Sequence, residues 1–194
     1  ADQLTLVGDT LSSDQLGFIF PLGSDLVEPV NAAITAMKND GFLDEISTKY
    51  FSDNFTITYD DIGEGAYAEE EAEAAPAELP DLGGRTISIA IENAYLPFNY
   101  IDLETGEAAG WDYEFIDEMC VRLNCVPDYV ETRWDGMIVA VSEGQFDMAA
   151  DGITITDERA EIVDFSDGYI NIEQRLLVRG DEERFTEPEE FAAD

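Results

Sequence analysis

Apolar positions recur with regular spacing in two stretches of the chain, separated by one stretch without it. Residues 17–52 predict a strand followed by two helices. The run GFIFPLG is apolar and is stopped by Pro21 and Gly23. Ser24 or Asp25 offers helix-start chemistry, and Pro29 is tolerated only near that start. Val30, Ala33, Ile34 and Met37 then fall at i, i+3, i+4 and i+7, which is one face of a helix. Gly41 ends that helix, and Leu43, Ile46 and Tyr50 stripe a second, shorter one.

Residues 85–180 read differently. RTISIAIE alternates apolar and polar, as a strand does. WDYEFIDEMCVRLN is helical, with Asp112 as its capping residue and Phe115, Met119, Val121 and Arg122 following. VPDYVETR is a strand, WDGMIVAVSEG a helix closed by Gly144, and FDMAADG a short strand. Thr156 and Asp157 open another helix, and EQRLLVRG is a strand. This alternation predicts right-handed βαβ units and a parallel sheet, whose ligands sit outside the carboxyl ends of the strands. Here those ends are IENAYLPF, TRWDG and ADGITIT. Between the two patterned stretches, Phe55, Ile57 and Tyr59 alternate and suit one strand or a docked segment. The sequence AYAEEEAEAAPAELPDLGG that follows is low in complexity, acidic and broken by Pro and Gly, which reads as a linker. A flexible segment of about thirty residues spans roughly 30 Å.

Composition narrows the function classes. The chain has 194 residues, enough for one domain or one and a half, and 45% of them are hydrophobic, enough for a core. It carries no apolar run of about 18 residues, so no transmembrane helix is expected. Its first residues lack the basic start and apolar stretch of a signal peptide; the expectation is that such a segment was removed or that the chain is an internal piece. Forty-five acidic residues against 9 Lys plus Arg give a formal net charge of -36. That excludes nucleic acid and anionic membranes as partners, since both need a basic face. A solvated acidic surface of this kind suits high salt. No calcium loop of the D-x-[DN]-x-[DN]-G type is present, and histidine is absent, which removes the usual general base and zinc ligand. No metal or cofactor is expected. Cys120 and Cys125 can form a disulfide if the helix ends between them, as Asn124 and Pro127 suggest, or stand as two buried thiols. A disulfide implies an oxidising compartment.

The strand ends carry the candidate chemistry. In ADGITITDER, Gly152 permits close approach of a ligand, Thr154 and Thr156 offer hydroxyls, and a helix start at Thr156 or Asp157 favours an anion. Arg159 has the planar fork that grips a carboxylate with two bonds. The competing reading pairs Arg159 with Glu158, Glu161 or Asp164. Tyr95, Phe98 and Trp134 stack on a ligand in one reading and pack the core in the other.

The three stretches ISIAIENAYLPFNYIDLETGEAAGWDYEFIDEMCVRL, WDGMIVAVSEGQFDMAADGITITDERAEIVDFSDGYI and RLLVRG together resemble the polar amino-acid solute-binding proteins of ABC importers. That family is also related to the ligand-binding cores of ionotropic glutamate receptors. The resemblance covers roughly residues 85–190 and implies an amino-acid ligand, an ABC permease as partner and no catalysis. It places the ligand α-carboxylate on Arg159, helped by Thr154 and the Gly152–Ile153 backbone, and the ligand side chain against Tyr95. Trp134 falls on a pocket wall, and Glu92 on a position that contacts polar side chains. Asp151 departs from the small residue, often Ser, that many members carry; an acid there suits a ligand ammonium or a cationic side chain.

Residues 1–52 resemble the end of the same family: a return strand through the hinge and two terminal helices. The implied architecture is therefore an α/β three-layer sandwich with a mostly parallel sheet, one lobe of a type II periplasmic-binding-protein fold with its segments in permuted order. Residues 1–52 are the C-terminal segment of a module and 53–84 the acidic linker. Residues 85–180 are the N-terminal βαβ segment, packing with 17–52 as one lobe, and 181–194 run toward a missing second lobe. A junction of tandem modules and a circular permutation both fit this order, and the linker allows exchange between chains as a domain-swapped dimer. The implied location is extracellular or periplasmic, with a membrane tether allowed in the full-length form. Two alternatives on the same scaffold are an enzyme of the dehydratase or lytic type, needing a catalytic acid such as Glu92 or Asp151, and the sensing domain of a receptor.

Overall fold

The structure is a computed structural model and describes residues 4–51, 78–182, 184 and 190. The expected strand through Phe55, Ile57 and Tyr59, most of the linker and most of 181–194 lie outside the described residues. In chain order the elements are β1 (Leu4–Pro21), α1 (Val27–Asp40), α2 (Phe42–Phe51), β2 (Arg85–Ile91), β3 (Ala94–Tyr95), β4 (Asn99–Ile101) and β5 (Ala108–Ala109). They continue as α3 (Trp111–Leu123), β6 (Cys125–Glu131), α4 (Trp134–Ser142), β7 (Met148–Thr154), α5 (Asp157–Ala160), β8 (Val163–Phe165) and β9 (Ile170–Arg179).

One sheet runs in the order β6-β2-β7-β1-β8, with β9 also paired to β1. The neighbours β6, β2 and β7 are parallel, whereas β1 is antiparallel to β7, β8 and β9. Five of the six strands thus run one way and β1 runs against them. Alternation splits the apolar side chains between the two faces. Leu16, Phe18 and Phe20 of β1, with Ile87 and Ile89 of β2, pack under α1, α2 and α3, where Val30, Ile34, Met37, Leu43, Phe115 and Met119 close the larger core. Ile19, Ala90, Ala149 and Ile153 face the other way, against Met137 and Val141 of α4. Helices on both faces of a mostly parallel sheet make an α/β three-layer sandwich. Each large side chain buried in these layers contributes roughly 1.5–3 kcal/mol.

Polar contacts tie the first segment to the rest. Trp111 donates its indole N–H to Ser47 Oγ at 3.1 Å, and Tyr50 donates to Glu114 at 2.6 Å, both joining α2 to α3. Arg122 of α3 bridges to Asp40 at 2.6 Å, and Arg85 at the start of β2 bridges to Asp25 at 2.9 Å.

Several local expectations change. β1 starts at Leu4 rather than residue 17, because its first half pairs with β9, from Leu4↔Arg179 to Leu16↔Ile170. Helix α1 follows Leu26 without a side-chain cap; Ser24 Oγ accepts instead from the Leu26 N–H, and Asp25 is taken by Arg85. Helix α3 is entered through Gly110, and Asp112 lies inside its first turn, fully buried, not capping it. Val121 is 76% exposed; Phe115, Ile116, Met119, Cys120 and Leu123 form the apolar face. Helix α3 ends at Leu123, and Cys120 and Cys125 form a disulfide that joins it to β6. The small sheet β3-β4-β5 carries no pattern read from the sequence.

Candidate functional site

The parallel strands β2, β6 and β7 deliver their carboxyl ends to one side of the sheet. An open cleft of ≈ 290 Å³ lies there, lined by Glu92, Ala94, Tyr95, Trp134, Asp151, Gly152, Thr154 and Arg159. A cleft of that volume is near the small end of ligand pockets. Glu92 follows β2, and its Oε1 accepts the Trp134 N–H at 3.1 Å, which ties the end of β2 to the start of α4. Trp134 in turn stands 5.5 Å from the Arg159 guanidinium, ring face to cation.

Local chemistry positions Arg159. Thr156 caps α5, its Oγ1 accepting the Arg159 N–H at 3.3 Å, so the arginine sits in the first turn beside the end of β7. Its Nη1 donates to the Thr154 carbonyl at 2.7 Å. Among the described residues no carboxylate pairs with Arg159, whereas Asp164, one of the acids expected to do so, accepts the Gly23 N–H at 2.6 Å. In a chain of net charge -36, this half-buried guanidinium keeps donors that no acid among the described residues claims, and it lines the cleft.

Gly152 holds the floor. Its φ is +53°, and a Cβ there would stand 2.6 Å from Cε1 of Tyr95. The Tyr95 ring therefore lies directly on the glycine backbone, 38% exposed, with Phe98 behind it at 5.1 Å between ring centres.

Behind the cleft lies a polar network that the sequence did not announce. Asn99 is fully buried, and its Nδ2 donates both to Asp151 Oδ1 at 2.8 Å and to Asp112 Oδ2 at 2.9 Å. Its Oδ1 accepts the Asn93 N–H at 2.8 Å, so every hydrogen-bonding atom of the amide is used. With the two donor directions near 120° apart, the two acceptor oxygens lie about 5 Å from each other. Two full charges at that distance repel by about 3 kcal/mol at an effective dielectric constant of ~20, more than a neutral amide hydrogen bond returns. Burial, and after it the Asp151 charge, push Asp112 up to about 7, against the Asn99 hydrogen bond, which lowers it. Burial and then the Glu92 charge raise Asp151 to about 6. Asp112 Oδ1 and the Tyr169 hydroxyl are both buried without a hydrogen-bond partner among the described residues.

The structure brings Arg159, Thr154, Gly152, Asp151, Tyr95, Trp134 and Glu92 to one cleft. Two expected contributors stand apart as side chains. Ile153 is fully buried in the α4-side core, because β7 alternation turns it away from the opening. Phe98 is 3% exposed and packs edge-on against Trp111 and Phe51, supporting Tyr95 from below. Sequence reasoning missed Ala94, Asn99 and Asp112. For Asp112 the available signal was an acid beside Trp111 and ahead of an apolar helix face, which reads equally as a cap.

Residues 87–191 match the model of the bacterial extracellular solute-binding proteins, family 3. The L-cystine-binding protein TcyA of Bacillus subtilis is 34% identical over 95 residues, 49% of this chain and 35% of TcyA. A probable histidine-binding protein of Neisseria gonorrhoeae is 33% identical over 105 residues, 54% of this chain and 38% of that protein. An L-arginine-binding protein of Pseudomonas aeruginosa is 33% identical over 95 residues, 49% of this chain and 36% of that one. The chain thus spans little more than a third of the length of the curated relatives it matches. With the family match extending over more than half of its residues, the chain belongs to the bacterial extracellular solute-binding proteins, family 3.

Proposed function

We propose that this chain supplies one lobe of an amino-acid-binding cleft and works, as part of a longer protein, as the extracellular or periplasmic binding component of an ABC importer. The observation that carries this reading is Arg159: a cation without an acid partner among the described residues, at the meeting point of three strand ends, beside a glycine floor and a threonine. Its guanidinium holds the ligand α-carboxylate. The Thr154 hydroxyl adds a hydrogen bond, Tyr95 and Trp134 flank the ligand side chain, and Asp151 with Glu92 attracts the ammonium or a cationic side chain. The names of the curated relatives, which are said to bind cystine, histidine and arginine, support an amino acid as the ligand class. Residues 4–51 and 85–180 form the lobe together in permuted order.

An enzyme on the same scaffold draws on one observation, the raised Asp151, which a general acid would need. No nucleophile paired with a base lines the cleft among the described residues, and binding without turnover is the better supported reading.

The test is a titration of the ¹⁵N-labelled chain with a panel of L-amino acids and their carboxamides, followed by NMR, which registers weak binding. Resonances of Gly152, Thr154 and the Trp134 indole should move with the acids and not with the carboxamides. Arg159→Ala should abolish the response. Equal binding of acid and carboxamide, or binding that survives Arg159→Ala, overturns the reading.

A further inference from the structure

Two buried carboxylates joined by one amide are an expensive arrangement for a surface cleft to keep behind its wall. Asn99 donates to both, at 2.8 and 2.9 Å, and cannot neutralise either. Asp151 lines the cleft, whereas Asp112 is fully buried on α3 and leaves one carboxylate oxygen without a partner among the described residues. An unpartnered, buried oxygen is tolerable on a neutral acid and costly on a charged one.

The charges around the pair do not relieve it. Glu92 and Tyr95 stand on the cleft side of Asp151, and Arg159 lines the same cleft with its guanidinium on Thr154 O and the Trp134 face. Around Asp112 the titratable neighbours are Tyr113, Tyr129 and Tyr169, each made harder to ionise first by burial, with the Asp112 charge adding to it and, at Tyr129, the charge and hydrogen bond of Asp117 adding more. Asp14 adds a further negative charge near Tyr95. Among the described residues, no cation pairs with Asp112 or Asp151.

We propose that Asp112 is a positioning acid for the cleft: held near Asp151 by their common Asn99 donor, it and Asp151 carry one proton between the two carboxylates, and a cationic ligand group lodged at Asp151 drives that proton into solvent. This rests on the amino-acid reading of the cleft. The ligand cation supplies the positive charge that the protein withholds, so both carboxylates can ionise once it is in place. Ligands with a cationic side chain then bind more tightly as pH rises from about 5 to about 8, while a neutral isostere gains less. The specificity of the cleft is set partly by a residue that no ligand touches.

Carboxyl ¹³C NMR of the ligand-free chain between about pH 3 and pH 9 tests the shared proton directly. Asp112 and Asp151 should both titrate above the ordinary carboxylate range. Asp151→Asn should lower the Asp112 midpoint, and Asp112→Asn the Asp151 midpoint. If Asp112→Asn does not fold, the Asp151→Asn arm decides alone. Calorimetry with L-arginine and with the neutral isostere L-citrulline, in two buffers of different ionisation enthalpy near pH 6.5, tests the coupling to ligand. Arginine should release a fraction of a proton, citrulline much less, and Asp112→Asn should abolish the difference. Midpoints unmoved by removal of the other acid, or arginine binding without proton release, overturn the inference and leave the amino-acid reading standing. Absence of binding by either compound overturns the ligand-driven step and leaves the amino-acid reading to the panel titration, whereas coupled midpoints would still establish the shared proton.

Discussion

At Gly152 the backbone takes a left-handed conformation while the Tyr95 ring covers the position a side chain would occupy. Gly152→Ala meets both obstacles. A non-glycine residue in that region costs about 1–2 kcal/mol, and the methyl, 2.6 Å from Cε1, must push the ring aside. The expected outcome is a melting temperature lowered by roughly 2–8 °C, together with altered Tyr95 ring resonances and weaker ligand response. An unchanged Tyr95 environment would mean that the ring does not rest on this glycine. Gly152, Thr154 and Arg159 were legible in the sequence because they share one strand end and one turn. Asn99 and Asp112 were not. Their contacts, Asn99 with Asp151 and with Asp112, span 52 and 13 positions, and an Asn between Phe98 and Tyr100 carries no local mark of burial.

Helix stripes and parallel strands were readable for the same local reason: Val30, Ala33, Ile34 and Met37 bury one face whatever they pack against. The first half of β1 was not, since its partner β9 lies more than 150 residues away. Between these cases stands the α3–β6 junction, where Asn124 marked the helix end and the spacing left disulfide and thiols equally open. The disulfide found there closes a short loop, with a sequence separation of 5. Chain-entropy reasoning for so small a loop gives about 2 kcal/mol. Reduction, or paired substitution to Ala, should lower the urea midpoint accordingly while leaving the slope of the transition nearly unchanged. Identical oxidised and reduced midpoints would show that α3 and β6 hold each other without the bond.

Over the whole molecule, 45 acidic residues face 9 basic ones, and among the described residues Lys49, Arg85 and Arg122 bridge acids within the folded body. The remaining acids repel one another, and salt shortens that repulsion, with a Debye length falling from about 10 Å at 0.1 M to about 3 Å at 1 M. The melting temperature at neutral pH should therefore rise steadily with added sodium chloride. Once the surface is screened, pH reads the interior. Asp112 and Asp151 hold their protons more tightly folded than unfolded, so their contribution is fully present below about pH 4 and is lost as pH rises through about 6 for Asp151 and about 7 for Asp112. Carboxylates that pair in the fold, such as Asp40 and Asp147, have the opposite sense: their folded-state values lie below the ordinary carboxylate range, so their contribution is lost only as pH falls below that range. The window from about pH 8 down to about pH 5 consequently reads the acids raised by burial, the buried pair together with Asp167, and the Asp112→Asn comparison separates the pair from the rest. In 2 M salt the chain should gain stability across that window, by as much as a few kcal/mol, and Asp112→Asn should flatten most of the gain. Chemical denaturation with urea at fixed salt and stepped pH measures this, and a flat or falling profile in the unsubstituted chain would mean that the pair behind the cleft is not holding a proton.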